Sequence, residues 1–302
     1  SLDLVLFVNG IPVATAELKT DFTQSVNDAK TQYCTDRKPA GEPLLGFGTR
    51  ALVHFAVSND EVWMTTKLAG ADTRFLPFNR GNQGHAGNAP DPLGLTSPTA
   101  YLWQEVWQRD RFLEILAKFM HYETVTSTDA ATGKKTRSQV LIFPRYHQLD
   151  AVTNLLADVR ASGPGQRYLI QHSAGSGKTR TIAWTAHRLA TLHDSASTKV
   201  FDSVIVVTDR NVLDAQLQEA VKQIEAKDGF VATINTREAA KRSFSSKSGY
   251  LTDVLTAGKP IIVVTLQTFP FVLQAIQENQ SLKGRSFAVI ADEAHSSQTG
   301  AA

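Results

Sequence analysis

Tyr168-Leu169-Ile170-Gln171-His172-Ser173-Ala174-Gly175-Ser176-Gly177-Lys178-Thr179-Arg180-Thr181-Ile182 decides the reading of this chain. Tyr168 to Ile170 form a short apolar run that reads as a buried strand. From Thr181 to Leu192 the apolar residues recur at helical spacing. Gly175-Ser176-Gly177 turns the first into the second and leads straight into Lys178-Thr179. Strand, glycine turn, Gly-Lys-Thr and helix, in that order, make a phosphate cradle. Glycine lets the backbone wrap an anion with successive N–H groups facing inward, and the helix N-terminus adds its positive end. Lys178 would reach the outer phosphates and the Thr179 hydroxyl would ligate Mg²⁺. His172 stands where the first glycine of the G-x-x-x-x-G-K-T pattern usually falls. The competing reading is a plain glycine turn in front of a buried helix; the structural context favours the phosphate site.

Working outward, the 302 residues are enough for two domains, and 42% hydrophobic with 20% charged residues describes a globular chain with real cores. A net charge of +2 places any nucleic-acid contact in a local groove rather than in a global field. The single Cys34 excludes an internal disulfide and a cysteine-built zinc site, and fits a reducing, cytoplasmic setting. No apolar run reaches membrane-spanning length, and Ser1 to Lys19 lacks the pattern of a signal peptide. Both ends read as cuts through a longer polypeptide.

The first half is rich in strand signals. Asp3 to Val8 is apolar and β-prone, Asn9-Gly10 is a strong hairpin turn, and Val13 to Lys19 returns as a second strand. Alternation puts Glu17 and Lys19 on one face, and the hairpin brings Asp3 back towards Glu17. Two carboxylates so placed can share a divalent cation that activates water at a phosphodiester, with a lysine to offset charge. Charged residues at i and i+2 also occur on the solvated face of any strand, and both readings stand at this point. Asp21 to Tyr33 reads as the following helix, with Val26, Ala29, Lys30 and Tyr33 on one side. Gln32 and Tyr33 belong either to the site or to helix surface and core. Leu52–Ser58 and Glu61–Leu68 form a second hairpin at Asn59-Asp60. Asn79 to Thr99 reads as a flexible surface loop. From Pro98 a helix is expected, its stripe being Leu102, Val106, Arg109, Leu113, Leu116 and Met120. Thr124 to Gln139 reads as a surface loop or linker, separating a domain of residues 1–123 from one of residues 140–302.

In the second half, Arg145 and Gln148 precede a helix that stops at Ser162-Gly163. A glutamine there can read the adenine edge through one donor and one acceptor, or simply sit at a helix start. Ser203–Val207, Pro260–Val264 and Phe287–Ala291 are β-rich runs between helix-length segments, which gives a mainly parallel sheet. Ligands bind outside the carboxyl ends of such strands. The residues delivered there are Thr208-Asp209-Arg210, Thr265-Leu266-Gln267-Thr268 and Asp292-Glu293-Ala294-His295. Asp292 is suited to hold Mg²⁺ opposite Lys178 and Thr179, and Glu293 to align the attacking water.

The P-loop together with Asp292-Glu293-Ala294-His295 resembles the first RecA-like domain of superfamily 2 helicases and translocases. That resemblance implies a nucleic-acid backbone contact for Thr208, Asp209, Arg210, Thr265, Gln267 and Thr268, an ATP contact for Arg145 and Gln148, and a linking role for His295. Asp3, Glu17 and Lys19 resemble the PD-(D/E)xK nuclease core. The order of nuclease hairpin, Gly/Asn loop, Tyr101-Leu102-Trp103-Gln104-Glu105-Val106, Arg145-Tyr146-His147-Gln148 and His172 to Thr179 resembles the restriction subunit of type I restriction–modification enzymes. The resemblance implies ATP and Mg²⁺ as cofactors. It implies double-stranded DNA and the modification and specificity subunits as partners, and a second RecA-like domain beyond Ala302, without which these residues hydrolyse ATP poorly. A superfamily 2 helicase or remodeller with a non-catalytic amino-terminal domain is the alternative. A P-loop kinase fits poorly with paired Asp292 and Glu293.

Overall fold

The Asn9-Gly10 turn forms as the sequence requires. Both residues take positive φ, 49° and 79°, the twist that matches a two-residue hairpin. The structure, a computed structural model, describes residues 2–20, 22, 24–128, 132–208, 211–224 and 229–292, with side chains left out at 211–215. It divides into two compact units, Ser1–Leu149 and Asp150–Ala302.

In the first unit β1 (Leu4–Val8) and β2 (Ile11–Leu18) pair antiparallel. Helix α1 (Val26–Thr35) crosses over to β3 (Val53–Val57), which runs parallel to β2. The antiparallel strands β4 (Val62–Thr65) and β5 (Leu76–Pro77) complete a mixed sheet of order β1-β2-β3-β4-β5. The α1 helix starts later than expected because Ser25 and Asp28 close a capping box at its N-terminus. Its Val26, Ala29 and Tyr33 are buried, while the Lys30 ammonium lies 3.4 Å over the Trp63 ring. The 79–99 segment is fastened rather than loose. Asn79 accepts from the Val62 amide and Asn88 donates to the Asp60 carbonyl.

Two expectations fail here. The helix after Pro98 is not continuous: a π-helical turn, Leu102–Val106, breaks at Gln108, whose ψ is 138°, before α2 (Arg109–Lys118). The break resets the register, so Phe112, Ile115 and Phe119 are buried and Leu113 is exposed. The expected 124–139 linker instead contributes to an antiparallel hairpin of β6 (His121–Thr128) and β7 (Lys135–Ile142). Residues 124–128 and 135–139 of that ladder are solvent-exposed, so that stretch carries no buried apolar face to announce it. The division between units accordingly falls later, inside α3 (Tyr146–Ser162).

The second unit continues with α4 (Lys178–Ala190), β8 (Ser203–Thr208), α5 (Asn211–Ile224), β9 (Val231–Thr233), α6 (Thr236–Lys241), α7 (Lys247–Thr256), β10 (Ile261–Thr265), α8 (Phe269–Glu278) and β11 (Phe287–Ala291). The strands form a parallel sheet of order β11-β8-β10-β9. Val204 to Val207 and Ile261 to Val264 are buried, as continuous apolar strands of a covered parallel sheet should be. Around α4 burial is almost complete, with Trp184, Ala183 and Ala186 at 0% exposure, so this is an enclosed helix rather than an amphipathic one.

Tyr168 to Ile170, expected as a buried strand, lies outside every ladder and is exposed, Leu169 at 86%. It borders a cavity of about 880 Å³ whose other walls include β11 and the start of α4.

Among the described residues no helix is long and apolar enough to cross a membrane.

Candidate functional site

The glycine loop is built by its backbone. Gly175 and Gly177 take φ of 74° and 89°, left-handed values that side chains resist. Gly177 is the N-cap of α4, so the helix begins at Lys178 and directs its positive end at the loop. The space where a Gly175 Cβ would project is open. The His172 ring lies 3.0 Å from the Ser176 hydroxyl through Nδ1, tying the position of the missing glycine back onto the loop.

Sheet register brings the other half. The Asp292 amide donates to the Val207 carbonyl just beyond β11 and β8, and the Asp292 carboxylate meets Lys178 Nζ at 3.1 Å. Thr179, in the first turn of α4, is partly buried. Lys178 and Asp292 both line the cavity described above. Thr208 and Thr265 are register partners at the ends of β8 and β10. Thr208 and Thr268 are buried, Thr265 and Thr268 share a 2.9 Å hydroxyl contact, and Gln267 is exposed. Asp209, Arg210, Glu293 and His295 lie outside the described residues. Gln148 belongs to the first unit and is buried. Its side-chain oxygen accepts from the Arg145 amide at 2.9 Å.

The second constellation lies on β2. Asp3 bridges back across the hairpin, its Oδ2 accepting from the Leu18 amide at 2.9 Å. Glu17 is fully buried. Burial raises the Glu17 carboxyl above its ordinary range, Arg37 opposes this, and the nearby Asp3 carboxylate adds to the rise. Glu17 Oε1 receives Arg37 Nε at 2.6 Å, and Glu17 Oε2 is buried without a hydrogen-bond partner. The structure thus brings Asp3 and Glu17 together. Lys19 is partly buried, and its amide donates to the Val57 carbonyl. Tyr33 is buried on this face and shares Thr15 Oγ1 with His54 Nδ1, at 2.7 and 2.8 Å. Gln32 Oε1 is buried without a partner. No group of three His, Cys, Asp or Glu among the described residues is placed to hold a metal ion.

Arg37 is the residue that sequence reasoning missed. It follows the last turn of α1, and nothing in its spacing from Glu17 shows that the two meet.

The comparisons with known proteins divide the chain as its geometry does. Residues 147–302 match the SWI2/SNF2 ATPase model, and residues 1–73 match the model of the type I restriction enzyme R protein N terminus. One similar protein is the type I restriction enzyme HindI endonuclease subunit of Haemophilus influenzae, 23% identical over 99% of this chain and 26% of that protein. Another is the putative type I restriction enzyme MjaVIIIP endonuclease subunit of Methanocaldococcus jannaschii, 24% identical over 99% of this chain and 27% of that protein. The chain spans about a quarter of the length of these relatives. No solved structure matches it. With the ATPase model covering just over half of its residues and the R-protein segment ahead of it, the chain belongs to the SWI2/SNF2 ATPase family, in the form carried by type I restriction enzyme R subunits.

Proposed function

We propose that the chain carries the first RecA-like half of an ATP-driven motor for duplex DNA, preceded by a nuclease unit of PD-(D/E)xK type. The observation that carries the motor reading is the meeting of Lys178 and Asp292 at 3.1 Å beyond the carboxyl ends of the parallel strands. The loop amides at Gly175, Ser176 and Gly177 would cradle the phosphates, with Lys178 countering their charge. Thr179 and Asp292 have the hard oxygen donors that suit Mg²⁺. Bound there, the ion would neutralise phosphate charge. Glu293 would align the attacking water, and Arg145 and Gln148 would contact the base. Thr208, Asp209, Arg210, Thr265, Gln267 and Thr268 would hold the DNA backbone, with His295 linking nucleotide and DNA.

For the nuclease, the buried and unpartnered Glu17 Oε2 beside Asp3 fits a cation. Asp3 and Glu17 would hold Mg²⁺, which polarises the scissile phosphate, and Lys19 would offset charge there. Cleavage would have no sequence preference of its own; modification and specificity subunits would supply recognition. A DNA- or partner-binding role without catalysis is the second reading, supported by the absence, among the described residues, of a group of three His, Cys, Asp or Glu placed to hold a metal ion.

The test uses the full-length subunit assembled with its partners. Lys19→Ala should abolish Mg²⁺-dependent DNA cleavage while ATP hydrolysis continues, and Lys178→Ala should abolish both. Cleavage that survives in the Lys19 variant removes the nuclease assignment; unchanged ATP hydrolysis in the Lys178 variant removes the motor.

A further inference from the structure

The end of α1 is shaped to send Arg37 back to the sheet. The Asp36 and Arg37 amides both donate to the Gln32 carbonyl, at 2.9 and 3.1 Å, which closes the helix and fixes the Arg37 backbone. From there its side chain, 15% exposed, reaches Glu17, which is 0% exposed. Glu17 is the residue on this face with the most to lose. Its carboxylate is out of water, it lies near the like charge of Asp3, and only one of its oxygens is bonded.

To ligate a cation this carboxylate must keep one oxygen turned to the ligand, although a buried oxygen without a partner favours rotation towards any donor. A charge-assisted hydrogen bond to the other oxygen pins the rotamer. Arg37 Nε on Oε1 does this while Oε2 stays unpartnered.

We propose that Arg37 is a positioning residue for the metal site: by binding Glu17 Oε1 it fixes the carboxylate's rotamer and presents Oε2, with Asp3, to a divalent cation. This rests on the reading above that Asp3 and Glu17 hold the metal. The opposite arrangement, in which Arg37 occupies the metal's place and must be displaced, predicts the opposite sign for the same substitution.

The experiment measures Mn²⁺ binding directly, by calorimetry on the full-length subunit without nucleotide, and scores the component that Glu17→Gln removes. Arg37→Gln should weaken that component about tenfold or more, as loss of an outer partner of a metal ligand does. Arg37→Lys should fall between Arg37→Gln and the wild type, because an ammonium keeps the charge without the planar fork. Equal or tighter binding in Arg37→Gln overturns the proposal, the tighter result establishing a competitor instead. ATP hydrolysis by the assembled enzyme reports whether the variant is folded. Should Arg37→Gln lose it, Arg37→Lys decides, and wild-type or tighter Mn²⁺ affinity there overturns the proposal. If Glu17→Gln removes no Mn²⁺ binding, the metal reading of Asp3 and Glu17 has failed, a result distinct from failure of Arg37 alone.

Discussion

Acid should loosen the first unit through His54. This histidine sits in the middle of the sheet on β3, in register with Thr15 of β2, and is 1% exposed. Its Nδ1 is held 2.8 Å from Thr15 Oγ1, and burial pulls its titration down from 6.5 to about 4. The neutral ring is therefore the folded form. Its contribution is fully present above pH 6.5, where the unfolded chain is also neutral, and is lost as pH falls towards 4. At about 1.4 kcal/mol per pH unit, that interval amounts to roughly 3 kcal/mol. Glu17 acts in the opposite sense. Its raised titration contributes stability below the ordinary value of 4.5 that is lost as pH rises through its folded value, so it offsets His54 on acidification. The two are separated by comparing wild type with His54→Asn, whose amide can keep a bond to Thr15 but does not titrate. Three of the four tryptophans, Trp63, Trp103 and Trp107, lie in the first unit. In a Trp184→Phe background, urea unfolding followed by tryptophan fluorescence reports on that unit. The wild type should lose roughly 3 kcal/mol more than His54→Asn between pH 7 and pH 4. Parallel pH profiles for the two proteins would refute the assignment of a neutral, buried imidazole.

Gly175→Ala meets nothing within 4 Å, so its cost is conformational only. It should lower stability by about 1 kcal/mol and raise the KM for ATP in the assembled enzyme, whereas an unchanged KM would detach this glycine from the phosphate cradle. Trp184→Ala opens a void in a fully buried position of α4 and should cost about 3–5 kcal/mol in urea unfolding of the second unit. A loss under about 1 kcal/mol would mean that α4 is not the enclosed helix described above.

What could be read in advance depended on whether a residue's environment is local. The Asn9-Gly10 hairpin, the runs at β8, β10 and β11 and the helix after Gly177 are each specified by neighbours in sequence, and each forms. The β6–β7 hairpin leaves little mark in the sequence because its residues 124–128 and 135–139, exposed on both faces, need no apolar alternation. A helical stripe continued from Pro98 does not hold because the break at Trp107 and Gln108 rotates everything beyond it. Tyr168 to Ile170 carries a strand's composition, yet a strand needs a neighbour as well as apolar residues, and here none pairs with it. For the sites, the residue types were visible and their partners were not. Asp3 near Glu17 follows from a two-residue turn, whereas Arg37 on Glu17 depends on where α1 stops.

The two candidate metal carboxylates meet a basic side chain in different ways, and the difference bears on what each site can do. Lys178 and Asp292 are 34% and 12% exposed, and the lysine presents a point charge on a flexible stem. Both groups line the cavity and keep some exposure, so the charge a phosphate would meet there is already partly hydrated. Arg37 and Glu17 are 15% and 0% exposed. Separating them strands a charge with no access to water, which typically costs about 3–5 kcal/mol when one partner of a buried pair is removed. On the reading proposed above, the first pair would exchange partners with a nucleotide. The second is built to persist, and any cation that binds beside Asp3 has to be accommodated by Oε2 with Arg37 still in place.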